Sequence, residues 1–403
     1  MTRTSKGSGH RRGGLLAASA AVLLLGGAVS IPTVHAQTPA EAPAAPKPPP
    51  YVPPATGPVE ADGYYEIIEA VAQGVWVIRQ AEPFHVQPSG NVTVIEQSDG
   101  LVMVDGGGSP GAARRIAALI RSVSAKPVKA LIITHWHGDH SLGFGTLKAM
   151  WPEMEVIATE QTVARLVTSM PTYAHGEPDA ARTAAYMEEL NGVDTYLRAA
   201  AVSPRLTQAE RDGFARAARD FVAYRADTDG LFVGRVTRPF RGALVLDDPK
   251  RPVQVFRAGR GNTDGDAAVW VPGARVLVTG DLVVAPIPFG FNGYPAEWAQ
   301  SLNVLAAYDF KVLVPGHGAP QRDRVYLNRL SASMATLRAA VGELARGSGK
   351  LEDAQKQVAF LGAEAFTGGD PWLRRWFQSY WTEPYAETVW KETRGEPILQ
   401  GQG

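Results

Sequence analysis

The sequence contains no cysteine, and it has only eight histidines in 403 residues. The absence of cysteine excludes disulfide bonds and thiolate metal ligands. A metal site in this chain must therefore use imidazole, carboxylate or amide oxygen ligands. Neither sign of charge is in excess, because 40 Lys and Arg residues balance 40 Asp and Glu residues. This balance gives no indication of nucleic-acid binding through bulk charge.

The N-terminus has the features of an export signal. An apolar run over residues 15–31 ends at the small-residue pattern Val34-His35-Ala36. Four basic residues precede the run: Arg3, Lys6, Arg11 and Arg12. The pattern predicts a cleaved signal peptide over residues 1–36 and a periplasmic or secreted protein, with no membrane span after cleavage. A retained anchor is the alternative, and the adjacent arginines hint at twin-arginine export.

The remaining chain divides into three parts. Residues 37–62 are rich in Pro and Ala and predict an extended linker. Residues 63–322 have alternating patterns typical of strands and helices, which predict a mixed α/β domain. Within this part, about residues 171–225 predict a helical insertion over the cleft. Residues 323–403 predict a helical C-terminal extension, because their apolar positions step by three and four residues. The extension is rich in aromatic residues, which indicates a core or a homo-oligomer contact.

Three of the eight histidines lie close together in the stretch from Thr134 to His140. An apolar run over residues 130–133 precedes them and predicts a buried strand. Alternate side chains of an extended chain share a face, so we expect His135, His137 and Asp139 to point the same way. Three imidazoles and a carboxylate at this spacing form a ligand set for zinc. The stretch therefore predicts the centre of a dinuclear metal site.

Motifs on either side of this stretch agree with the same interpretation. Residues 135–140 have the pattern HxHxDH, and residues 100–107 form an apolar strand that ends in Asp before two glycines. Downstream lie Thr279-Gly280-Asp281 and Pro315-Gly316-His317-Gly318. Over about residues 63–322 the sequence resembles the metallo-β-lactamase superfamily. The resemblance implies an α/β fold, the αββα sandwich, which the two strand-rich halves with covering helices match.

The resemblance also implies a ligand set and a reaction. The first zinc ion would be held by His135 and His137, and the second by Asp139, His140 and His317. Asp281 would bridge the two ions. A metal-bound hydroxide would be the nucleophile, and Asp139 would orient it and accept its proton. Two Zn²⁺ ions per chain are therefore expected.

One position departs from the family pattern. The family usually has the segment Gly-His-Thr-x-Gly, whose histidine is the third ligand of the first ion, whereas Asn262 stands at that position here. An amide oxygen is a harder and weaker ligand for zinc than imidazole. The first site is therefore expected to be the weaker one, to empty easily, or to favour iron or manganese.

Other residues are candidates for supporting roles. Asp105 follows a strand and could accept a hydrogen bond from a ligand imidazole, although a turn or cap role is equally compatible. Four side chains in loops beside the motifs are candidate substrate contacts: Phe84, His85, Phe289 and Phe291. His175, in the insertion, is predicted to be a loop histidine rather than a metal ligand.

The sequence predicts an exported zinc hydrolase that cleaves a small cyclic amide, ester or thioester. A true β-lactamase, a glyoxalase-II-like thioesterase and a lactonase are alternatives within the same superfamily. No Lys or Arg is placed by a family motif to bind a carboxylate. Because β-lactams carry a carboxylate, this weakens the hypothesis of a β-lactam substrate. A non-catalytic assembly protein, with the first site disabled by Asn262, is an alternative of a different class.

Overall fold

The computed structural model describes residues 64–81, 84–85, 89–169, 180–231 and 234–400. The predicted signal peptide, the linker and His175 lie outside these residues. Among the helices of the described residues, none has the length and apolar character needed to cross a membrane.

The first half of the chain forms a sheet in sequence order. Its seven strands are β1 (Glu66–Ala72), β2 (Val75–Gln80), β3 (Val92–Glu96), β4 (Leu101–Val104), β5 (Val128–Ile132), β6 (Glu155–Thr159) and β7 (Arg238–Phe240). Strands β1 to β4 pair antiparallel, and β4 to β7 pair parallel. The change to parallel pairing places the ends of β4 and β5 at one edge of the sheet.

The second half forms a five-stranded sheet in the order β12-β11-β10-β9-β8. Its strands are β8 (Ala243–Leu246), β9 (Val253–Phe256), β10 (Ala268–Val271), β11 (Val276–Val278) and β12 (Val312–Val314). The pair β11 and β12 is parallel, and the other neighbours are antiparallel. The C-terminal ends of β11 and β12 therefore also lie at a common edge of this sheet.

Alternation along the strands explains why the sheets stack. In β4, Val102 and Val104 face the interior shared by both sheets, while Leu101 and Met103 face the covering helices on the other side. Successive side chains of a strand point to opposite faces, so a strand that is apolar throughout is buried on both sides. Valines of β9 and β10 meet β4 in the shared interior.

Helices cover both outer faces. In chain order they are α1 (Pro110–Val123), α2 (Gly138–Ser141), α3 (Phe144–Met150), α4 (Glu160–Ser169), α5 (Ala180–Ala201), α6 (Gln208–Asp227), α7 (Pro295–Ala306), α8 (Val325–Arg346), α9 (Leu351–Val358), α10 (Ala363–Thr367), α11 (Pro371–Trp376) and α12 (Glu383–Arg394). A π-helical turn, Phe377–Thr382, joins α11 to α12. The predicted αββα sandwich, with a helical insertion and a helical C-terminal extension, is confirmed.

The insertion and the extension pack against each other. Phe214 of α6 lies 5.1 Å from Trp372 and 5.8 Å from Trp376 of α11, measured between ring centroids. Both tryptophans are buried in the same apolar cluster as Phe214. The tryptophans of the extension thus form core within the chain, as one of the two interpretations from sequence expected.

Candidate metal centre

The centre lies where parallel strands of both sheets end. Val104 of β4 pairs with Ile132 of β5, so Asp105 and the stretch that starts at Thr134 emerge side by side. Val278 of β11 pairs with Val314 of β12 in the same way. Asp281 and His317 follow those two strands. A backbone hydrogen bond of 2.8 Å from Ala267 N to Thr134 O joins the two edges.

The HxHxDH segment is not extended, contrary to the prediction. Strand β5 ends at Ile132, the chain bends at His135 and Trp136, and α2 begins at Gly138. Asp139 therefore lies in the first helical turn rather than on a strand. His135 and His137 still lie side by side, with ring centroids 4.6 Å apart, and Trp136 is buried as expected.

Four imidazole rings converge on one space. His135 Nε2 lies 3.0 Å from His137 Nδ1, and His140 Nε2 lies 3.1 Å from His317 Nε2. The rings of His135 and His140 join the two pairs, with centroids 4.3 Å apart. The sequence-predicted histidine ligands therefore meet in the folded chain.

Two carboxylates complete the cluster. Asp281 Oδ1 lies 3.2 Å from His140 Nε2, and its Oδ2 lies 3.7 Å from His135 Nε2. Asp139 Oδ2 lies 2.9 Å from His317 Nε2 and 3.4 Å from His140 Nε2. Asp281 thus faces both histidine pairs, which is the position that a bridging ligand requires.

A close backbone approach holds Asp281 in this position. A Cβ atom at Gly316 would lie only 1.8 Å from Asp281 Oδ1. Gly316 N also donates a hydrogen bond of 2.9 Å to Gly280 O. Glycine is therefore required at position 316 for the turn before His317 to pass beside Asp281.

Asp105 fixes the orientation of two ligand rings. Its Oδ2 accepts hydrogen bonds from His140 Nδ1 at 2.9 Å and from Thr134 Oγ1 at 2.8 Å. Because the Thr134 hydroxyl donates its hydrogen to Asp105, it accepts from His135 Nδ1, which lies 3.0 Å away. Both rings therefore carry hydrogen on Nδ1 and direct Nε2 toward the cluster.

The charges of the cluster agree with a ligand role. Burial raises the pKa of Asp281, but the histidines around it, His140 first, outweigh burial and hold that pKa well below its usual range. Burial lowers the pKa of His135 and His137, which keeps both rings neutral. Ionised carboxylates and neutral imidazoles are the forms that bind metals.

Asn262 lies beside His137. Its Nδ2 is 3.3 Å from His137 Nδ1, and its Oδ1 is buried without a hydrogen-bond partner. A rotation of the amide by 180° would exchange these two atoms and direct the oxygen toward His137 and the cluster. The structure thus brings Asn262 to the end of the cluster where the sequence places the first ion.

The residues fit divalent metal ions. Two groups have ligand atoms all within 4.8 Å of one another: His135, His140 and Asp281, and Asp139, His140 and His317. Asp281 Oδ1 is buried without a hydrogen-bond partner, as is Asn262 Oδ1. Divalent ions held here would polarise the scissile bond and lower the pKa of a water molecule.

A cleft opens beside His317, and it contains three of the four predicted substrate contacts. Phe84, His85 and Phe289 line it, together with Gln80, Ser89 and Asn91. The Phe289 ring lies 5.2 Å from that of His317. Phe291 belongs to the same loop and is 41% exposed.

His85 is held by the insertion. Its Nδ1 lies 2.9 Å from Asp220 Oδ2 of α6, and its Nε2 lies 3.1 Å from Ala81 O. The ring is therefore engaged on both sides and fixes the loop of Phe84 against α6.

A residue that the sequence analysis did not predict as a substrate contact lies against the aromatic side chains of the loop that contains Phe289 and Phe291. Tyr380, in the π-helical turn, lies 5.3 Å from Phe289 and 5.6 Å from Phe291, measured between ring centroids. Burial and the Asp139 carboxylate are among the causes that raise the pKa of Tyr186, Tyr224 and Tyr380. The charge of Asp139 therefore acts on side chains of both the insertion and the extension. Only an aromatic spacing of four residues, Trp376 to Tyr380, could have indicated in the sequence that Tyr380 lies here.

Comparison with known proteins agrees with this geometry. The family described as "Metallo-beta-lactamase superfamily" matches residues 86–317, which is more than half of the chain. The chain belongs to the metallo-β-lactamase superfamily. The match begins in the loop of His85 and ends at His317, so it includes every residue of the cluster.

Individual proteins are similar to parts of the chain. It is 26% identical over 248 residues to "Linear primary-alkylsulfatase" of Pseudomonas sp. (strain ATCC 19151), covering 57% of this chain and 42% of the relative. The fold of the sec-alkylsulfatase Pisa1 from Pseudomonas sp. matches with a TM-score of 0.57 and 18% identity, over 81% of this chain and 50% of that one. A metallo-β-lactamase from Pontibacter korlensis matches with a TM-score of 0.46 and 16% identity, over 67% of this chain and 99% of that one.

The similarity to the alkylsulfatases covers only part of those proteins. The chain spans about half the length of the alkylsulfatases that it matches. Superfamily membership and the similarity to the alkylsulfatase support a metal-dependent hydrolase. The substrate of this chain is a separate question.

Proposed function

We propose that this protein hydrolyses the ester bond of a small molecule whose alcohol part is apolar, with primary alkyl sulfates as the first substrate class. The observation that carries the proposal is the aromatic wall beside the ligand cluster. Phe289 lies 5.2 Å from His317, and Phe84 lines the same cleft. An apolar group attached to the scissile bond would pack against this wall while the bond itself lies at the metal ions.

Charge favours a sulfate ester over a β-lactam. Among the described residues that line the cleft, none is Lys or Arg. The negative charge of an alkyl sulfate is on the reacting group, so metal ions at the cluster would neutralise it. The carboxylate of a β-lactam lies beside the reacting amide and would need a separate cation. The name of the alkylsulfatase relative supports the same choice.

Neutral esters form the second candidate class. A lactone, a carboxylic ester or an acyl thioester needs no cation beside the cleft, so the same lining residues suit it. A small cyclic amide is compatible with the cluster but makes no special use of the aromatic wall. We set aside a non-catalytic assembly protein, because the cluster retains four imidazoles and two carboxylates in contact.

In the proposed reaction, water attacks the sulfur or carbonyl carbon and the ester bond to the alcohol oxygen breaks. Asp139 has the catalytic role of orienting the water. Its side chain is 21% exposed, so water can reach it. It remains ionised because His140 and His317 outweigh burial and hold its pKa far below its usual range. A low pKa suits a hydrogen-bond acceptor that keeps the water in line.

We further propose two Zn²⁺ ions per chain. His135, His137 and Asn262 would hold the first ion, Asp139, His140 and His317 the second, and Asp281 both. The first ion is expected to bind more weakly, because Asn262 offers an amide oxygen, and iron or manganese could replace zinc there.

Location and assembly complete the proposal. The basic residues and the apolar run of residues 1–36 support export to the periplasm or the medium. A homo-oligomer formed through the C-terminal helices is tested by the mass of the purified protein in solution.

A substrate panel tests the proposed function. Protein loaded with zinc would be incubated with a primary alkyl sulfate, a γ-lactone, an acyl thioester and a chromogenic β-lactam, with His317→Ala as control. We expect release of inorganic sulfate, measured by ion chromatography, at a rate that His317→Ala reduces by about a hundredfold or more. No release of sulfate, together with hydrolysis of another class, would reject the alkyl sulfate assignment.

A further inference from the structure

We propose that Tyr380 of the C-terminal extension is a specificity-determining residue, whose ring binds the apolar group of the substrate. The inference rests on the proposed function for the kind of substrate, and it adds that the extension selects that substrate together with the sandwich. Its support comes from ring contacts, backbone anchoring and an unusual helical turn.

Tyr380 is the centre of the aromatic wall. Its ring centroid lies 5.3 Å from Phe289, 5.6 Å from Phe291 and 6.2 Å from Phe84. These three side chains come from two loops, one before β3 and one before α7. Since Phe289 also contacts His317, the wall reaches from Tyr380 to the ligand cluster.

The wall differs from the aromatic core behind it. Trp376 lies 4.8 Å from Tyr380 and is buried, as is Trp372. Tyr380, Phe84 and Phe289 are instead partly exposed. Phe84 and Phe289 line the cleft, and the Tyr380 ring contacts both, so the three rings together provide apolar contact area for a ligand.

The backbone holds Tyr380 in place. Gly290 N donates a hydrogen bond of 2.7 Å to Tyr380 O, which ties the loop of Phe289 to the π-helical turn. A Cβ atom at Gly290 would lie 2.8 Å from Trp381 O, so only glycine permits this approach. The wall is therefore already assembled in the free protein, and binding costs little conformational entropy.

The π-helical turn directs the side chain. Such turns are rare in helices and occur frequently at functional sites. After Tyr380, the turn Phe377–Thr382 is anchored to α8 and to the C-terminal end of α9. Trp381 Nε1 donates to Ser333 Oγ at 3.0 Å, and Thr382 Oγ1 donates to Ala359 O at 2.7 Å. Tyr380 lies between the buried residues Phe377 and Trp381 of this turn, and its ring contacts Phe289.

The hydroxyl group of Tyr380 stays neutral. Burial is the largest cause that raises its pKa, and the charges of Tyr196 and Asp139 act in the same direction. A neutral phenol adds no negative charge beside an alkyl chain or an anionic reacting group. The wall is thus compatible with both classes of ester.

The test compares Tyr380→Ala and Tyr380→Phe with Phe360→Ala as a matched control. Phe360 is an exposed aromatic residue of the same extension, and its ring packs against Arg374 of α11, 4.4 Å from the guanidinium carbon to the ring centroid. Catalysis is measured as kcat/KM for a series of primary alkyl sulfates of increasing chain length. For wild type, each methylene in contact should raise kcat/KM by about fourfold. In Tyr380→Ala the increase in kcat/KM per methylene should fall below about twofold. In Tyr380→Phe and Phe360→Ala this increase per methylene should equal that of wild type.

Binding of an inert analogue separates this inference from the proposed function. Decane-1-sulfonate and butane-1-sulfonate, below micelle formation, would be titrated by calorimetry against all four proteins. We expect wild type to prefer the longer probe and Tyr380→Ala to lose that preference, whether or not alkyl sulfates are hydrolysed. Unchanged circular dichroism and melting of Tyr380→Ala exclude misfolding, and Tyr380→Leu replaces it if the alanine variant does not fold. An equal preference in wild type and in the variant without the ring, or no preference in wild type, overturns the inference.

Discussion

Asp105 Oδ2 and His140 Nδ1 are 2.9 Å apart, and both groups are fully buried beneath the ligand cluster. The contact is held on the other side by Thr134, whose backbone N and Oγ1 each donate to the Asp105 carboxylate at 2.8 Å. One carboxylate therefore orients His140 directly and His135 through Thr134. Asp105 also has a φ of 65°, a left-handed conformation that Asp and Asn adopt more easily than most residues.

We expect Asp105→Asn to weaken metal binding by about tenfold to a hundredfold. The asparagine can keep the left-handed backbone and accept from Thr134 N, but its amide hydrogens would face His140 Nδ1 and favour the tautomer with hydrogen on Nε2. That tautomer cannot bind a metal through Nε2. The measurement is the zinc dissociation constant, obtained by competition with a chromophoric chelator. Asp99→Asn, at an exposed position, is the control. Equal zinc affinity in the Asp105 variant and wild type would show that Asp105 only shapes the turn.

Asn262 gives a second prediction. Asn262→His should raise zinc stoichiometry toward two at limiting metal, with an affinity gain at the first site on the order of tenfold, because imidazole replaces a weaker oxygen ligand. Asn262→Ala should lower occupancy of that site while the second site stays filled. Zinc content is measured by atomic emission after gel filtration. If neither substitution changes the stoichiometry or the affinity, Asn262 is not a ligand and contacts substrate or a ligand histidine instead.

The pH dependence of metal binding follows from two histidines. Burial lowers the pKa of His317, but Asp281 and Asp139 outweigh it and raise that pKa to about 9. The pKa of His140 is likewise raised, since Asp139, Asp281 and Asp105 outweigh burial. Both rings must lose a proton to bind metal, so zinc affinity should rise between pH 7 and about 9, by up to about tenfold per pH unit for each proton released.

The same shift affects the metal-free protein. Because the pKa of His317 is higher in the folded than in the unfolded state, its contribution to stability is complete below about pH 6.5. It is lost as the pH rises through about 9. Zinc affinities at pH 7, 8 and 9, corrected for protonation of the competing chelator, test the predicted rise in zinc affinity with pH. An affinity that is constant or falls over this range would contradict it.

The export prediction concerns residues 1–36, which lie outside the described residues. We expect mature protein from the cell envelope to begin at or near Gln37, because the small-residue pattern ends at Ala36. Mass spectrometry of the N-terminal peptide measures this directly. An intact N-terminus on protein recovered from the cytoplasmic fraction would reject export, and an intact N-terminus in the membrane fraction would indicate a retained anchor.

Local sequence patterns predicted most of the fold. Strands such as β4 and β5 are continuous apolar runs, and the amphipathic spacing of α8 is regular, so both were identifiable without tertiary information. Strand β7 and helix α7 were not predicted. Strand β12 begins only at Val312, because Tyr308 N still bonds to Leu305 O in the turn after α7. Such boundaries depend on packing rather than on local preference.

The site was predictable where spacing alone defines it. The pattern HxHxDH places four ligand candidates near one another whatever the local conformation: His135, His137, Asp139 and His140. These residues were therefore predicted correctly as neighbours, although the expectation of an extended segment was wrong. Tyr380 was not predicted as part of the site, because its position depends on a π-helical turn and on contacts with a loop 90 residues earlier in the chain. Long-range contacts of this kind leave no periodic signal in a sequence.

The central claim is that the cluster of four histidines and two aspartates holds metal ions that catalysis requires. The most direct test is to remove metal with a chelator, measure activity and zinc content together, and then add zinc back to wild type and His317→Ala. We predict that metal-free wild type is inactive and recovers with zinc, and that ions leave in two steps with the Asp139, His140 and His317 site last. His317→Ala should bind less zinc and remain at least about a hundredfold less active. Full activity in protein shown to be free of metal, or unchanged zinc content and activity in His317→Ala, would contradict the account.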